Sequence, residues 1–338
     1  MEALNEPVED IAWIPVEDES APGSVRRAAS ALARRLGFDE HRAGEVAIAA
    51  TELATNLYRH AVAGAILVRL RRIPNDAAVE LVVVDAGPGM ADLAASSIDH
   101  HSTSGTLGIG LGAAMRLASW FDSHSVVGRG TVTIATFWRQ PTAQRPPRIA
   151  AITRPMNGEA VCGDACAYRL DGEATSVALV DGLGHGEIAA IAARAAVRAF
   201  TAGESDPNPA STLKRLDQAL RGTRGAAVAI VRIDPSSASL TFAGVGNVAA
   251  WIDDGERRRA LVSSAGIVGN NARTIREVTV PLAPRSLVLL HSDGLSSKWD
   301  LDAYPGLRAR DPHLVAATLM RDAGVRRDDA SIAVARAS

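Results

Sequence analysis

Four aspartates beside apolar stretches are the residues of this chain that are best suited to bind a metal or take part in catalysis. Asp164 lies in "CGDACAYRL", Asp181 closes "SVALVD", Asp293 follows "SLVLLHS", and Asp328 precedes "DASIAVA". Each Asp-Gly pair alone is typical of a turn, but four carboxylates brought together would repel one another unless a cation held them. Oxygen ligands with few histidines favour Mg²⁺ or Mn²⁺ over zinc. Two such ions about 4 Å apart can bridge a water, lower its pKa and clamp a phosphate, without a cysteine nucleophile.

A second group of residues with possible chemistry lies in the first half. In "ELATNLYRHA", Glu52 and Asn56 are four residues apart and share one face of a predicted helix. Glu52 could act as a general base and Asn56 could offer its carbonyl oxygen to Mg²⁺. Taken alone, this spacing favours an ordinary solvated helix face. Asp85 ends an apolar run and precedes Gly87 and Gly89, which let a ligand approach the backbone, although D-x-G-x-G alone is a turn as often as a site.

A glycine-rich stretch, "TSGTLGIGLGAAMRLAS", leads directly into a predicted helix. Gly108, Gly110 and Gly112 lie at its start, where free backbone amides suit phosphate groups. The stretch also contains "GIGLGA", which fits the G-x-G-x-x-A pattern of dinucleotide-binding folds. That fold requires a strand immediately before the glycines, and the preceding "DHHSTSG" is not a strand, so we exclude it.

Two domains are needed to position these groups, as the length of 338 residues also indicates. The proline-containing stretch "RQPTAQRPPRIA", residues 139–150, is predicted to be a linker between the two domains. The sequence of the first half predicts helices followed by antiparallel strands, which together form an α/β sandwich with one helical layer. The helices of this half are expected at 22–37, 39–61 and 111–121. The second half predicts many strands, among them one at 240–252, and helices at 187–202, 208–221 and 312–323. That pattern favours two sheets covered by helices, so the predicted fold class is α+β.

Composition excludes several classes of partner. The formal net charge of −2 gives no argument for nucleic acid or an anionic membrane. The acidic start "MEALNEPVED" is not a secretory signal, and no apolar run approaches the roughly 18 residues of a membrane span. Cys162 and Cys166 lie too far apart along one strand for an easy disulfide, which indicates two thiols in a reducing cytoplasm.

The order of motifs in the first half resembles the GHKL (Bergerat) ATP-binding fold, over about residues 8–138. The resemblance is to the small serine kinases that act as anti-sigma factors or stressosome switch kinases, the RsbT-like group. It implies that Asp85 binds the adenine amino group, that Asn56 holds Mg²⁺, and that Glu52 activates the substrate hydroxyl. It further implies ATP or ADP as the nucleotide, with further contacts from these residues: Gly87, Gly89, Gly108, Gly110, Gly112 and Thr131.

The second half, residues 151–338, resembles the PPM family of protein serine/threonine phosphatases in its SpoIIE- and RsbX-like branch. The motifs that carry the resemblance are G-D, "DGLGHG", S-D-G and "DDAS". It implies a β-sandwich flanked by helices and two Mn²⁺ or Mg²⁺ ions. The metal ligands carried over are Asp164, Asp181, Asp293 and Asp328, with the carbonyl of Gly182. Asp328 is preferred to Asp329 because the first position of the family's D-[DN]-x-[ST] motif is the ligand.

Three further residues of this half have less certain roles. For His185 of "DGLGHG", two roles stay open: a local structural role, and a catalytic or phosphate-binding role. His291 is predicted to lie in the core, because it alternates with inward-facing strand residues. Arg154 is a weak candidate for a phosphate clamp.

Together, the two resemblances imply a cytoplasmic regulator that phosphorylates and dephosphorylates a small STAS-type regulatory protein. Two alternatives stay open. In one, the first half senses nucleotide or a partner and only gates the phosphatase. In the other, the chain is a sequestering anti-sigma protein that uses its kinase site for binding.

Overall fold

The computed structural model describes residues 4–7, 9–73, 76–91, 110–140, 149–202, 206–270, 272 and 274–337. Within these residues the chain forms six α-helices and sixteen strands. The helices are α1 (Ala21–Arg35), α2 (Glu40–His60), α3 (Gly110–Leu117), α4 (Gly186–Ala202), α5 (Pro209–Ala219) and α6 (Pro312–Ala323). The strands are β1 (Leu4–Pro7), β2 (Glu9–Pro15), β3 (Ala65–Ile73), β4 (Asp76–Val84), β5 (Trp120–Val126), β6 (Gly130–Trp138), β7 (Ile149–Arg154), β8 (Asp164–Asp171), β9 (Ala174–Gly182), β10 (Ala226–Asp234), β11 (Ser239–Val245), β12 (Ala249–Asp253), β13 (Arg258–Leu261), β14 (Glu277–Pro281), β15 (Leu287–His291) and β16 (Ala330–Arg336).

The chain divides into two compact units. Unit 1 comprises Met1–Val8, Pro147–Trp299 and Asp322–Ser338, and unit 2 comprises Glu9–Pro146 and Asp300–Arg321. These units differ from the predicted ranges 8–138 and 151–338 in two segments. Strand β1 joins the sheet of unit 1, and the segment 300–321, with most of α6, belongs to unit 2. Neither exchange has a local sequence signal, because "LNEP" has no apolar alternation and α6 is apolar on all sides.

Unit 2 is a five-stranded antiparallel sheet with helices α1, α2 and α3 on one face. The strand order is β2-β3-β4-β6-β5. Helix α2 begins where predicted, because the Asp39 side chain accepts a hydrogen bond from the Arg42 backbone N–H at 2.7 Å. Alternate residues of β3 and β4 face the helices and form a core with Val46, Leu53 and Leu57. Helix α3 ends at Leu117, earlier than the predicted 121, because β5 begins at Trp120 and pairs with β6.

The opposite face of the β3–β4 pair carries buried charges. Arg71 Nη1 lies 3.0 Å from Glu80 Oε2, and the Thr136 hydroxyl donates to the same oxygen at 2.7 Å. Arg69 Nε lies 3.0 Å from Asp10 Oδ1. Glu80 is fully buried, so its charge depends on these neighbours.

Unit 1 is a sandwich of two antiparallel sheets, as predicted. One sheet has the order β1-β8-β9-β10-β11-β14 and the other β13-β12-β15-β16-β7. Residues such as Leu179, Phe242 and Leu290 fill the core between the sheets. Helices α4 and α5 cover the outer face of the first sheet through Phe200, Leu213 and their neighbours. The fold class is therefore α+β, with a helix-covered sheet in unit 2 and a helix-flanked β-sandwich in unit 1.

Three details of unit 1 correct or complete the sequence predictions. The stretch 240–252 is two strands, not one, because the chain turns at Gly246, where φ is +97°. Strand β7 begins at Ile149, inside the predicted linker 139–150, because Ile149 and Ala151 pack in the sandwich core. Neither cysteine forms a disulfide, and Cys166 is buried while Cys162 is half-buried. None of the helices in the described part of the chain is long and apolar enough to cross a membrane.

Candidate active sites

Five carboxylates meet at one end of the sandwich in unit 1. Asp164 and Asp181 are cross-strand partners on β8 and β9. Asp293 follows β15, and Asp328 and Asp329 precede β16. The sandwich brings these loops to the same end because β15 and β16 are antiparallel neighbours. Two adjacent strands and the end of one strand pair therefore position all four predicted ligand side chains.

The charges of these groups act on one another. Burial raises the pKa of Asp164, and the carboxylates of Asp329 and Asp293 raise it further, while the hydroxyls of Ser292 and Ser331 act in the opposite direction. The pKa of Asp181 is also raised, first by burial and then by the other four carboxylates. Burial and Asp293 likewise raise the pKa of Asp328. Such mutual repulsion is what a bound cation would relieve.

Two observations bear on whether these residues fit a metal ion. Within the described ranges, no three His, Cys, Asp or Glu side chains meet closely enough to form a ligand set for one ion. The Oδ2 atom of Asp164, however, is buried and has no hydrogen-bond partner, an expensive state for a carboxylate oxygen. The donors are oxygens, which suit Mg²⁺ or Mn²⁺. The chemistry of these donors and the unpartnered Asp164 oxygen therefore fit a divalent cation.

Asp329 makes backbone contacts that distinguish it from its neighbour Asp328. Its Oδ1 accepts a hydrogen bond from the Met156 N–H and its Oδ2 accepts one from the Gly163 N–H, both at 2.8 Å. Asp329 is buried and ties the loop before β8 to the start of β16. With both of its oxygens engaged, Asp329 is a poor ligand, which supports the choice of Asp328.

Glycines at two of the motifs allow close approach of backbone segments. A side chain at Gly294 would collide with the carbonyl of Asp329, so only glycine fits beside Asp293. Gly182 is packed as tightly, because an added Cβ would meet the carbonyls of Ala189 and Gly163.

Sequence reasoning missed two residues beside these carboxylates. The side-chain amide of Asn247, in the β11–β12 turn, donates to Asp293 Oδ2 at 2.5 Å. Glu159 Oε1 lies 2.8 Å from His185 Nδ1. Asn247 lies inside the stretch predicted as one continuous strand, so no turn, and no site, was expected there. Glu159 lies in a loop between strands, where the sequence gives no signal.

The remaining candidates of this half are placed as follows. His291 is buried, as predicted, with Nδ1 2.8 Å from the Ser292 carbonyl and Nε2 accepting from Trp299 Nε1 at 3.5 Å. This fixes the proton on Nδ1, and burial lowers the pKa of the ring. Arg154 donates to the Val325 carbonyl at 3.2 Å, in the loop that leads to Asp328.

In unit 2, α2 carries Glu52 and Asn56 one turn apart, and both are half-buried. Leu53 and Leu57 face the core, so the polar pair lies on the edge of the helical layer. The end of α2 adjoins the Asp85 turn, because the Ala86 N–H donates to the Val62 carbonyl at 3.0 Å.

Asp85 is the most constrained residue of the second site. It is buried, its N–H donates to the Thr131 carbonyl at 3.0 Å, and its Oδ1 accepts from the Gly87 N–H at 2.8 Å. Burial raises the pKa of Asp85, and the charge of Arg321 partly offsets this. Gly89 has a φ of +68°, and a side chain there would collide with the Val126 carbonyl.

The β5–β6 hairpin holds this turn from the other side. The Thr131 and Ser125 hydroxyls are 2.9 Å apart, and Ser125 Oγ accepts from the Met90 N–H at 2.7 Å. No local sequence pattern singles out Ser125. Of the predicted lid glycines, Gly110 begins α3 and Gly112 lies within it, while Gly108 falls outside the described residues.

Comparisons with known proteins match each half separately. Residues 171–338 match the family model "Stage II sporulation protein E (SpoIIE)", and residues 14–137 match "Histidine kinase-like ATPase domain". The chain is 33% identical over 115 residues to the serine/threonine-protein kinase RsbT of Bacillus subtilis (strain 168), covering 34% of this chain and 86% of RsbT.

Two further similarities are to a phosphatase and to a solved structure. The chain is 28% identical over 141 residues to the phosphoserine phosphatase RsbX of the same organism, covering 41% of this chain and 70% of RsbX. A solved structure from work on the bacterial stressosome, a modular system adapted to control secondary messenger signalling, is 28% identical with a TM-score of 0.52. That match covers 56% of this chain and 98% of the other.

Proposed function

Because the chain belongs to the RsbT-like ATPases in its first half and to the SpoIIE-type PPM phosphatases in its second, we propose that it phosphorylates and dephosphorylates one substrate. The substrate is a small regulatory protein of the STAS type. Unit 2 transfers phosphate from ATP to a serine or threonine of that protein, and unit 1 removes it. The observation that carries the proposal is that one chain holds both sets of residues, the Glu52–Asn56–Asp85 group and the carboxylate cluster.

In the phosphatase reaction, Asp164, Asp181, Asp293 and Asp328, with the Gly182 carbonyl, would hold two Mn²⁺ or Mg²⁺ ions. Such ions supply a water of lowered pKa and neutralise the phosphate charge. The contribution of the chain is to hold the four carboxylates near one another, where burial and neighbouring carboxylates raise the pKa values of Asp164 and Asp181. Asn247 holds Asp293 in place, and Asp329 fixes the neighbouring loop.

In the kinase reaction, Asp85 accepts a hydrogen bond from the adenine amino group, and Asn56 would hold Mg²⁺ at the phosphates. Glu52 accepts the proton of the attacking hydroxyl while the γ-phosphoryl group moves to that oxygen. The backbone of α3 from Gly110 to Gly112 would cover the phosphates. The part of the site that would contact adenine is formed by the backbone around Asp85, with Gly87, Gly89 and Thr131.

The test is a phosphotransfer assay with the full chain, ATP and a purified STAS-domain protein. The proposal expects a phosphorylated partner in the presence of ATP, and loss of that phosphate when ATP is removed and Mn²⁺ is kept. No transfer to the partner, with nucleotide-dependent hydrolysis of the phosphorylated partner, would replace the proposal with the gating alternative. The gating alternative is the second candidate function. It is favoured because Arg321, which lies shortly before the proposed metal ligand Asp328 in the chain, contacts the Asp85 turn.

A further inference from the structure

Arg321 reaches the turn that carries the proposed adenine ligand. Its Nη1 donates to the main-chain carbonyl of Asp85 at 2.8 Å. The backbone N–H and the side chain of Asp85 are held by Thr131 and Gly87. The carbonyl is therefore the third fixed point of the turn, and a residue 236 positions further along the chain supplies it.

The segment 300–321 has several other attachments within unit 2. Arg310 Nη1 donates to Asp122 Oδ1 at 3.2 Å, and His124 Nε2 donates to the Pro305 carbonyl at 3.0 Å. The Arg129 guanidinium lies 5.3 Å from the centre of the Tyr304 ring. The segment is thus held along its length, and Arg321 stands at its C-terminal end.

The chain on either side of this segment leads directly to proposed metal ligands. The Ser296 N–H donates to the Ala323 carbonyl at 2.8 Å, and the Val325 N–H donates to the Gly294 carbonyl at 2.7 Å. These bonds close the base of the segment, between Asp293 on one side and Asp328 on the other. Arg321 and Ala323 are both in the last turn of α6, so a displacement of Arg321 moves Ala323 with it, because a helix is stiff over one turn.

We propose that Arg321 is a positioning residue of the nucleotide site, and that nucleotide binding at Asp85 and divalent-ion binding at Asp293 and Asp328 are thermodynamically linked through the last turn of α6. The inference rests on the proposed function of both sites. Asp293 and Asp328 would hold an ion at the base of the segment, which would keep Ala323 where Arg321 reaches Asp85, so each ligand would favour the other. Linkage requires the effect to be reciprocal, and couplings of this kind are typically about 5- to 150-fold in affinity.

The experiment measures the dissociation constant of fluorescently labelled ADP by the full chain at one saturating concentration of free Mn²⁺. A double-mutant cycle compares wild type, Asp293→Asn, Arg321→Gln and the double variant. We expect Asp293→Asn to weaken ADP binding at least threefold in the wild-type background and to have no effect in the Arg321→Gln background. Because the Mn²⁺ concentration is the same throughout, chelation of Mn²⁺ by ADP cancels in the comparison.

Arg310→Gln is the matched control, since it breaks another contact of the same segment without touching Asp85. It should keep the effect of Asp293→Asn. Arg321→Lys should restore part of the ADP affinity, which a merely structural role for Arg321 does not require. If Arg321→Gln does not fold in thermal melts, the lysine variant and the Asp293→Asn comparison still decide the question. An ADP affinity that is indifferent to Asp293→Asn, or that responds equally without Arg321, overturns the linkage. Wild-type protein that binds no ADP overturns the proposed nucleotide site itself.

Discussion

Acid should destabilise unit 2 through Glu80. Burial alone would raise the pKa of this carboxyl, but the charges of Arg71, His313 and Arg69 and the Thr136 hydroxyl outweigh burial and lower the pKa from 4.5 to about 2. A carboxyl with a depressed pKa in the folded state stabilises the fold above its unfolded pKa, and this stability is lost as the pH falls through the folded value. At 1.36 kcal/mol per pKa unit, the loss between about pH 5 and pH 2 is about 3 kcal/mol.

Urea unfolding read by hydrogen exchange of β4 amides measures this loss in unit 2 specifically. Glu80→Gln should be less stable than wild type at pH 7, by about 3 kcal/mol, because it removes the buried carboxylate that lies 3.0 Å from Arg71. The two proteins should converge as the pH falls towards 2. Glu9→Gln is the matched control, because Glu9 is only half-buried and lies 3.8 Å from an exposed Arg72, so little change is expected. A constant difference between Glu80→Gln and wild type across this range would refute the reasoning.

Four further predictions concern the two sites. Asp293→Asn should remove most phosphatase turnover, measured on a phosphorylated partner, while thermal melts show a folded protein. Glu52→Ala should stop phosphotransfer and leave Mn²⁺-dependent hydrolysis at the wild-type rate; phosphotransfer at the normal rate would remove Glu52 as the base. Asn247→Ala should weaken Mn²⁺ binding about tenfold by titration, as loss of an outer-shell partner typically does, and unchanged affinity would contradict its positioning role. Gly294→Ala should lower the melting temperature sharply, because the added methyl group collides with the Asp329 carbonyl; an unchanged melt would contradict the packing.

Much of the fold follows from local signals in the sequence. Helix α2 has a cap at Asp39 and an apolar stripe, and α4 ends at the predicted residue 202. The fold class is confirmed, because periodicity and turn residues act within a few positions of one another. The pairing of Asp164 with Asp181 also follows once β8 and β9 are recognised as neighbours.

The contacts that complete the sites could not be predicted in the same way. The bond from Arg321 to Asp85 joins residues 236 positions apart, and no pattern around either residue indicates the other. Asn247 stands in an irregular turn whose geometry depends on a positive φ at Gly246. Strand β1 forms by backbone pairing with β8, to which propensity contributes little. These features depend on tertiary packing, which overrides local preference.

Strand β1 has a consequence for how the protein can be dissected. Because Leu4 pairs with Leu170 while residues 9–73 and 76–91 build unit 2, the phosphatase fold is discontinuous, and the ATP-binding fold is an insertion within it. A fragment cut at the proline-rich stretch would expose the backbone edge of β8, which favours aggregation. The complementary fragment would lose the segment 300–321. Expression of either half alone would thus test a damaged fold, whereas a variant in which residues 9–146 are replaced by a short linker between β1 and β7 would give the phosphatase fold a more continuous chain.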